Sequence, residues 1–253
     1  TTLELALAQA TGAGVFVGEA ALQGDVRDSF GASPVLDVSL DATTLAPVDN
    51  VVLDRIVATA RGTRARLRVT VDADGTAFDE ETELDLAATV GQRGETTAIE
   101  LSSFAVLFRE EVVQLLSPAR VALSGSQTRV QGLELTTSRG GRIALDATMR
   151  PNGVWGDAVI AGLDLQLLQG VAELPIEQGL LTANARFDTR PGRAEAEVFA
   201  EISSLLAEGV PSGVGLLRLS ANGNWDGRTA TVSSQLDGDF GDPIRAQAAI
   251  PLR

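Results

Sequence analysis

Carboxylates are the residues best equipped for chemistry in this sequence. Asp72-Ala73-Asp74-Gly75 opens like a calcium loop, with acidic residues at alternate positions before a glycine. No Glu closes the loop at the required spacing, so the segment reads as a hairpin turn. Asp79-Glu80-Glu81 reads as solvated turn charge. Gly12-Ala13-Gly14-Val15-Phe16-Val17-Gly18 is rich in glycine, but its third glycine falls one place too late for a dinucleotide fingerprint and no helix follows. The serines have no His or Lys to activate them. With neither Cys nor His, the usual zinc, iron and copper ligands, thiol nucleophiles and the imidazole base are all missing. A carboxylate pair remains the one route to acid–base or glycosidase chemistry. The reading is of a protein that is not an enzyme and takes no metal and no cofactor.

Charge narrows the partners. At a net charge of −14 with scattered arginines, the chain has no basic stripe to neutralise phosphates, which argues against nucleic acid. No cationic, then apolar leader starts at Thr1, and no apolar run approaches the roughly 20 residues that span a bilayer. The chain begins in what reads as a strand, Leu3 to Leu7, so the expectation is a fragment with any targeting signal upstream.

The elements that must position these residues are strands. Period-two alternation is cleanest at Arg64 to Asp72 and Arg142 to Arg150. Weaker alternation runs over Leu36–Leu40, Glu83–Ala87, Ala98–Leu101, Arg120–Leu123, Arg129–Leu135, Leu181–Phe187, Ala194–Ala200, Leu216–Ala221, Ala230–Leu236 and Ile244–Leu252. Turn signals separate them at Asp74-Gly75, Gly91 to Gly94, Ser124 to Ser126, Arg139-Gly140-Gly141, Asn152-Gly153, Asn222-Gly223 and Asp237-Gly238. Arg109–Leu116, Leu163–Gly170 and Glu201–Glu208 have spacings nearer a helical period, and read as short helices covering an edge or an open end. Pro151 to Gly156 and Ala221 to Asp226 echo one another as strand, turn with Trp, strand. The fold expected is all-β: a long, curled antiparallel meander sheet with a few short helices, one continuous array over residues 1–253.

One apolar face then follows, built of Leu, Val and Ile with only 4% aromatics. Periodicity is equally compatible with a face closed on itself as a sandwich core and with an open groove. The scarcity of aromatics tilts the choice towards a groove, because acyl chains pack readily on an aliphatic lining.

Gly24-Asp25-Val26-Arg27-Asp28, leading to Pro34 to Ala42, resembles the recurrent strand unit of TamB-type proteins, the inner-membrane partners of the translocation and assembly module. Leu115 to Leu123 with the strands at Val130 to Leu135 and Ile143 to Met149, Ala161 to Leu168 with Gly179 to Ala183, and the ending Gly241 to Arg253 are similar to the same family. The resemblance implies an AsmA-like lipid-transfer protein whose sheet folds like a taco around an apolar groove. It would lie in the periplasm of a Gram-negative bacterium, anchored to the inner membrane by a segment outside this chain. It further implies phospholipid transport towards the outer membrane and support for outer-membrane protein assembly. The implied partners are phospholipid acyl chains, neighbouring β segments of the same protein, and a TamA-like outer-membrane barrel reached through regions outside this chain. The residues expected to line the groove are Leu67, Val69, Val71, Leu84, Leu86, Ile99, Leu101, Val121, Leu123, Leu133, Leu135, Ile143, Leu145, Leu217, Leu219, Ile250 and Leu252. The competing readings are a structural or adhesive β-repeat with a closed core, and an edge-strand chaperone for outer-membrane proteins.

Overall fold

In the computed structural model of the chain, the residues described are 2–12, 15–28, 34–48, 50–168, 176–207, 215–239 and 241–251. They fall into two compact units, Thr1–Gly125 and Ser126–Arg253, divided at a turn that the sequence marks.

The first unit holds β1 (Thr2–Gly12), β2 (Val15–Arg27), β3 (Val35–Val48), β4 (Val51–Thr63), β5 (Arg66–Ala77), β6 (Glu80–Arg93), β7 (Thr96–Phe108), β8 (Glu111–Ser117) and β9 (Ala119–Ser124). Each of β1 to β7 pairs antiparallel with the next. Pro118 splits the last line in two, and β7 pairs with both pieces. The second unit holds β10 (Gln127–Thr137), β11 (Arg142–Arg150), β12 (Gly153–Asp164), β13 (Ile176–Asp188), β14 (Glu195–Ala207), β15 (Leu217–Trp225), β16 (Thr229–Asp237) and β17 (Ile244–Pro251), again an antiparallel meander.

The helical readings give way to strands. Arg109 and Glu110 form a tight turn and β8 follows at once. Glu201–Ala207 belongs to β14, where a bulge shifts the register between Ile202 and Leu205, with Ser204 at φ 53°. A bulge inserts one residue, so Ile202 and Leu205 come to the same face three apart, which imitates a helical period. Of Leu163–Gly170, only Leu165–Leu168 is helical, a single 3-10 turn; 169–170 lie outside the described residues.

Two turn readings are also corrected. Asp74-Gly75 lies inside β5, and Asn222-Gly223 lies inside β15, so the Trp-containing echo is not a repeated hairpin. The turn after β5 is Phe78-Asp79, at φ 53° and 65°, and that after β7 is Arg109-Glu110, at φ 52° and 63°. Both residues of each have positive φ, the form that matches strand twist, reached here without glycine. Packing compensates the first: the Phe78 ring meets Phe108 edge-on, with centroids 6.5 Å apart, and the Phe78 N–H donates to the Asn50 carbonyl at 2.7 Å.

Candidate functional site: the apolar faces

Partners directly opposite in an antiparallel pair point to the same face, so the registers assign faces residue by residue. In the first unit Leu5, Leu22, Leu40, Ala58, Val71, Leu86 and Phe104 form one unbroken row across β1 to β7. Beside it runs Ala20, Ala42, Ile56, Ala73, Leu84, Val106 and Val113. On the other flank are Gly24, Val38, Ala60, Val69, Ala88, Leu101 and Ala119, then Val26, Leu36, Gly62, Leu67, Val90, Ile99 and Val121. No polar side chain interrupts these four rows. The opposite face carries rows such as Asp25, Asp37, Arg61, Arg68, Thr89, Glu100 and Arg120.

The second unit repeats the division. Leu133, Leu145, Ala158, Ala185, Val198, Gly223, Val232 and Ala248 cross all eight strands. Leu163, Leu181, Ile202, Leu219, Leu236 and Ile244 form a parallel row. Ser234 is the one polar residue in the row that starts Leu135, Ile143, Ile160. Bulges at Gly132, Gly162 and Ser204 bend β10, β12 and β14 while resetting alternation to keep this face apolar.

These faces are not sealed. In β5 the outward Arg66, Arg68, Asp72 and Asp74 are exposed while Leu67, Val69 and Val71 are only half-buried. Among the described residues no large side chain is fully buried, and the best-buried apolar residues of the first unit are mostly alanines: Ala42, Ala73, Ala88 and Ala119, with Ile56. In β5 the apolar side is less exposed than the polar side, yet it stays within reach of solvent.

Of the residues expected as lining, sixteen lie on the apolar face of their own unit. Leu67, Val69, Val71, Leu84, Leu86, Ile99, Leu101 and Val121 are half-buried members of the first unit's rows, and Leu123 sits at their end, 39% exposed. Leu133, Leu135, Ile143, Leu145 and Leu219 are half-buried in the second unit. Leu217 is buried beside Leu205, and Ile250 on β17 is 52% exposed. Leu252 lies outside the described residues. Sequence reasoning missed Leu22, Ile56, Ile160, Val198 and Val232. Alternation was legible at Ala20, Leu22, Gly24 and Val26, but β4 and β12 carry apolar residues on both sides and hide it.

One end of the second unit's face is covered. The 3-10 turn seats Leu165, 3% exposed, over Gly179, whose missing side chain leaves room for the Leu165 methyl and Ile202. Leu163, Leu205 and Leu217 complete the best-buried patch of that unit. On its polar face Trp155 is held between two guanidiniums, Arg190 at 4.4 Å and Arg150 at 5.4 Å from the ring centroid. Arg190 also donates to Asp188 at 2.8 Å, and that hydrogen bond holds the Asp188 carboxyl at about 2.

Asp72 and Asp74 point outward from β5, opposite Asp85 and Glu83. Among the described residues no group of three or more acidic side chains could hold a metal ion. A hollow of about 650 Å³ lies in the polar side of β1 to β4 beside Glu19, Gln23 and Asp41. Among the described residues no helix is long and apolar enough to cross a membrane.

Comparison with known families, curated proteins and solved structures finds no match. The faces themselves present broad aliphatic surface, half-open to water, with most polar side chains on the other side.

Proposed function

We propose that this chain binds lipid acyl chains along its apolar faces, and serves as a segment of a TamB-like bridge carrying phospholipid between the membranes of a Gram-negative envelope. The observation that supports it is the run of four apolar rows across β2 to β7, whose larger side chains are mostly half-exposed while Ala42, Ile56, Ala73 and Ala88 are buried among them. Keeping such a surface uncovered is unfavourable for a protein that has no use for it. Eight strand positions at about 4.8 Å give a face on the order of 38 Å across. A lipid crossing water loses about 0.8 kcal/mol per methylene, on the order of 10 kcal/mol for a sixteen-carbon chain, and an aliphatic lining offsets most of that. Transport along such a surface needs no catalytic group. The motifs that resemble TamB-type proteins support the same reading, and with it a periplasmic place and a role beside an outer-membrane barrel.

The test is a lipophilic dye whose emission rises on leaving water. Saturable binding to the folded chain, displaced by phospholipid, is the expected result; a folded chain that leaves the dye dark has a closed core and overturns the proposal.

A second reading, pairing with strands of nascent outer-membrane proteins, draws on β17. Within its unit this strand pairs with β16 alone and is exposed along its whole length, with Ile244 59% and Ile250 52% exposed. Backbone crosslinks from β17 to a client strand would favour that reading over lipid conduction.

A further inference from the structure

One row of the second unit's apolar face differs from the others. Gly156, Phe187, Ala196, Trp225, Ala230 and Ile250 are opposite partners in turn from β12 to β17. Among the described residues of the unit, Phe187 and Trp225 are the two aromatics that the registers place on this face; Trp155 and Phe199 stand opposite polar partners on the other. Trp225 is half-buried, but its indole N–H is buried and has no acceptor among the described residues. An indole nitrogen can only donate, and leaving a buried donor unpaired is unfavourable.

This row lies at one end of the face, and the other end is closed. On β15 the apolar side runs from Leu217 and Leu219 to Trp225, and on β13 from Gly179 and Leu181 to Phe187. Leu165, 3% exposed, seals the far end with Leu163, Leu205 and Leu217. Between the two ends the face is open, with Val198 44% and Val232 42% exposed. From Leu219 to Trp225 the strand covers about 20 Å at roughly 3.4 Å per residue. One acyl chain occupies half of a bilayer's hydrocarbon core, about 15 Å. A chain whose methyl end meets the leucines therefore brings its ester to the aromatic row.

We propose that the Trp225 indole N–H donates to the ester carbonyl of a lipid whose acyl chain lies along β13 to β16 with its methyl end towards Leu165. The inference rests on the acyl-chain reading above and adds a direction and a named donor to it. An ester carbonyl accepts and cannot donate, which makes it the complement of an indole. Tryptophan suits the place where an apolar surface gives way to water, because its ring is apolar and its N–H is polar. The N–H is covered before lipid binds, so the ring turns on binding and the surroundings of the indole change.

The test compares diacyl phosphatidylcholine with its dialkyl ether analogue, which keeps the headgroup and the chains but has no ester carbonyl, on the whole chain and on Trp225→Phe. The expected result is about fivefold tighter binding of the ester lipid, the strength of one hydrogen bond, and loss of that preference in Trp225→Phe with ether-lipid binding unchanged. A second measurement does not depend on the folding of Trp225→Phe. Trp155→Phe leaves Trp225 as the one tryptophan, and its emission is followed as it binds phosphatidylcholine carrying a nitroxide close to the ester or close to the methyl end. The label near the ester should quench it more strongly. If the unmodified chain binds both lipids equally, if the preference survives in Trp225→Phe, or if the methyl-end label quenches as strongly, the Trp225 contact is wrong and the acyl-chain reading stands. If the unmodified chain binds neither lipid, both fail.

Discussion

A carboxylate placed in the middle of an apolar row should abolish lipid binding without unfolding the sheet. Val69 suits this because Ala60 and Ala88 face it across the ladders and leave no larger side chain to shield the change. It is half-buried, so Val69→Asp forfeits part of one side chain's transfer energy, about 1 kcal/mol. For a chain of 253 residues that corresponds to a fall of roughly 2–4 °C in Tm. The effect on lipid is larger. A chain lying over the site must keep roughly three or four methylenes away from the charge, at about 0.8 kcal/mol each. That is close to 3 kcal/mol, or on the order of a hundredfold in Kd. Gln23→Asp adds the same charge on the exposed polar face, opposite Ser39, and should leave Kd unchanged. Titration of a fluorescent phospholipid, with far-ultraviolet circular dichroism to verify the strands, gives both quantities. Unchanged affinity in a folded Val69→Asp protein, or an equal loss in Gln23→Asp, would refute the assignment of the face.

Gly75→Ala should destabilise the first unit by about 1–3 kcal/mol in urea unfolding, because the added methyl would stand 2.1 Å from the Val52 carbonyl oxygen and 2.6 Å from the Leu53 Cα. Leu165→Ala removes the best-seated side chain of the 3-10 turn and should cost about 2–3 kcal/mol, read the same way. For Asp188, the Arg190 hydrogen bond places the folded carboxyl at about 2, below its usual 3.8, so its contribution is present above pH 4 and is lost as pH falls towards 2. Asp188→Asn should therefore melt below the unmodified chain at neutral pH, and the difference should shrink between pH 4 and pH 2; a constant difference would contradict the coupling. Arg61→Ala breaks only an exposed pair with Asp37 and should shift stability by less than about 1 kcal/mol in thermal melts.

Much of the fold is legible in the sequence because a half-buried strand writes its two faces as alternation. Arg142–Arg150 is read to the residue, and Arg64–Asp72 differs from β5 only at its ends. What the sequence hides has physical causes. Bulges break the period of two, so β14 imitates a helix around Ile202 and Leu205. Turns at Phe78-Asp79 and Arg109-Glu110 reach positive φ without glycine, which sends the turn reading to Asp74-Gly75 instead. The apolar face is legible as a set of residues, whereas its continuity from strand to strand depends on register, which one strand's sequence does not contain. The Arg64–Gln92 hydrogen bond is the least legible feature, since its partners are 28 positions apart and meet only through the hairpins.

The central claim is that an aliphatic face stays open to hold lipid. The most direct measurement is native mass spectrometry of the chain expressed in a bacterial periplasm and purified without detergent. The account predicts phospholipid bound at a reproducible stoichiometry and lost in Val69→Asp. A stable, folded, lipid-free chain would contradict it and place these rows in a closed core.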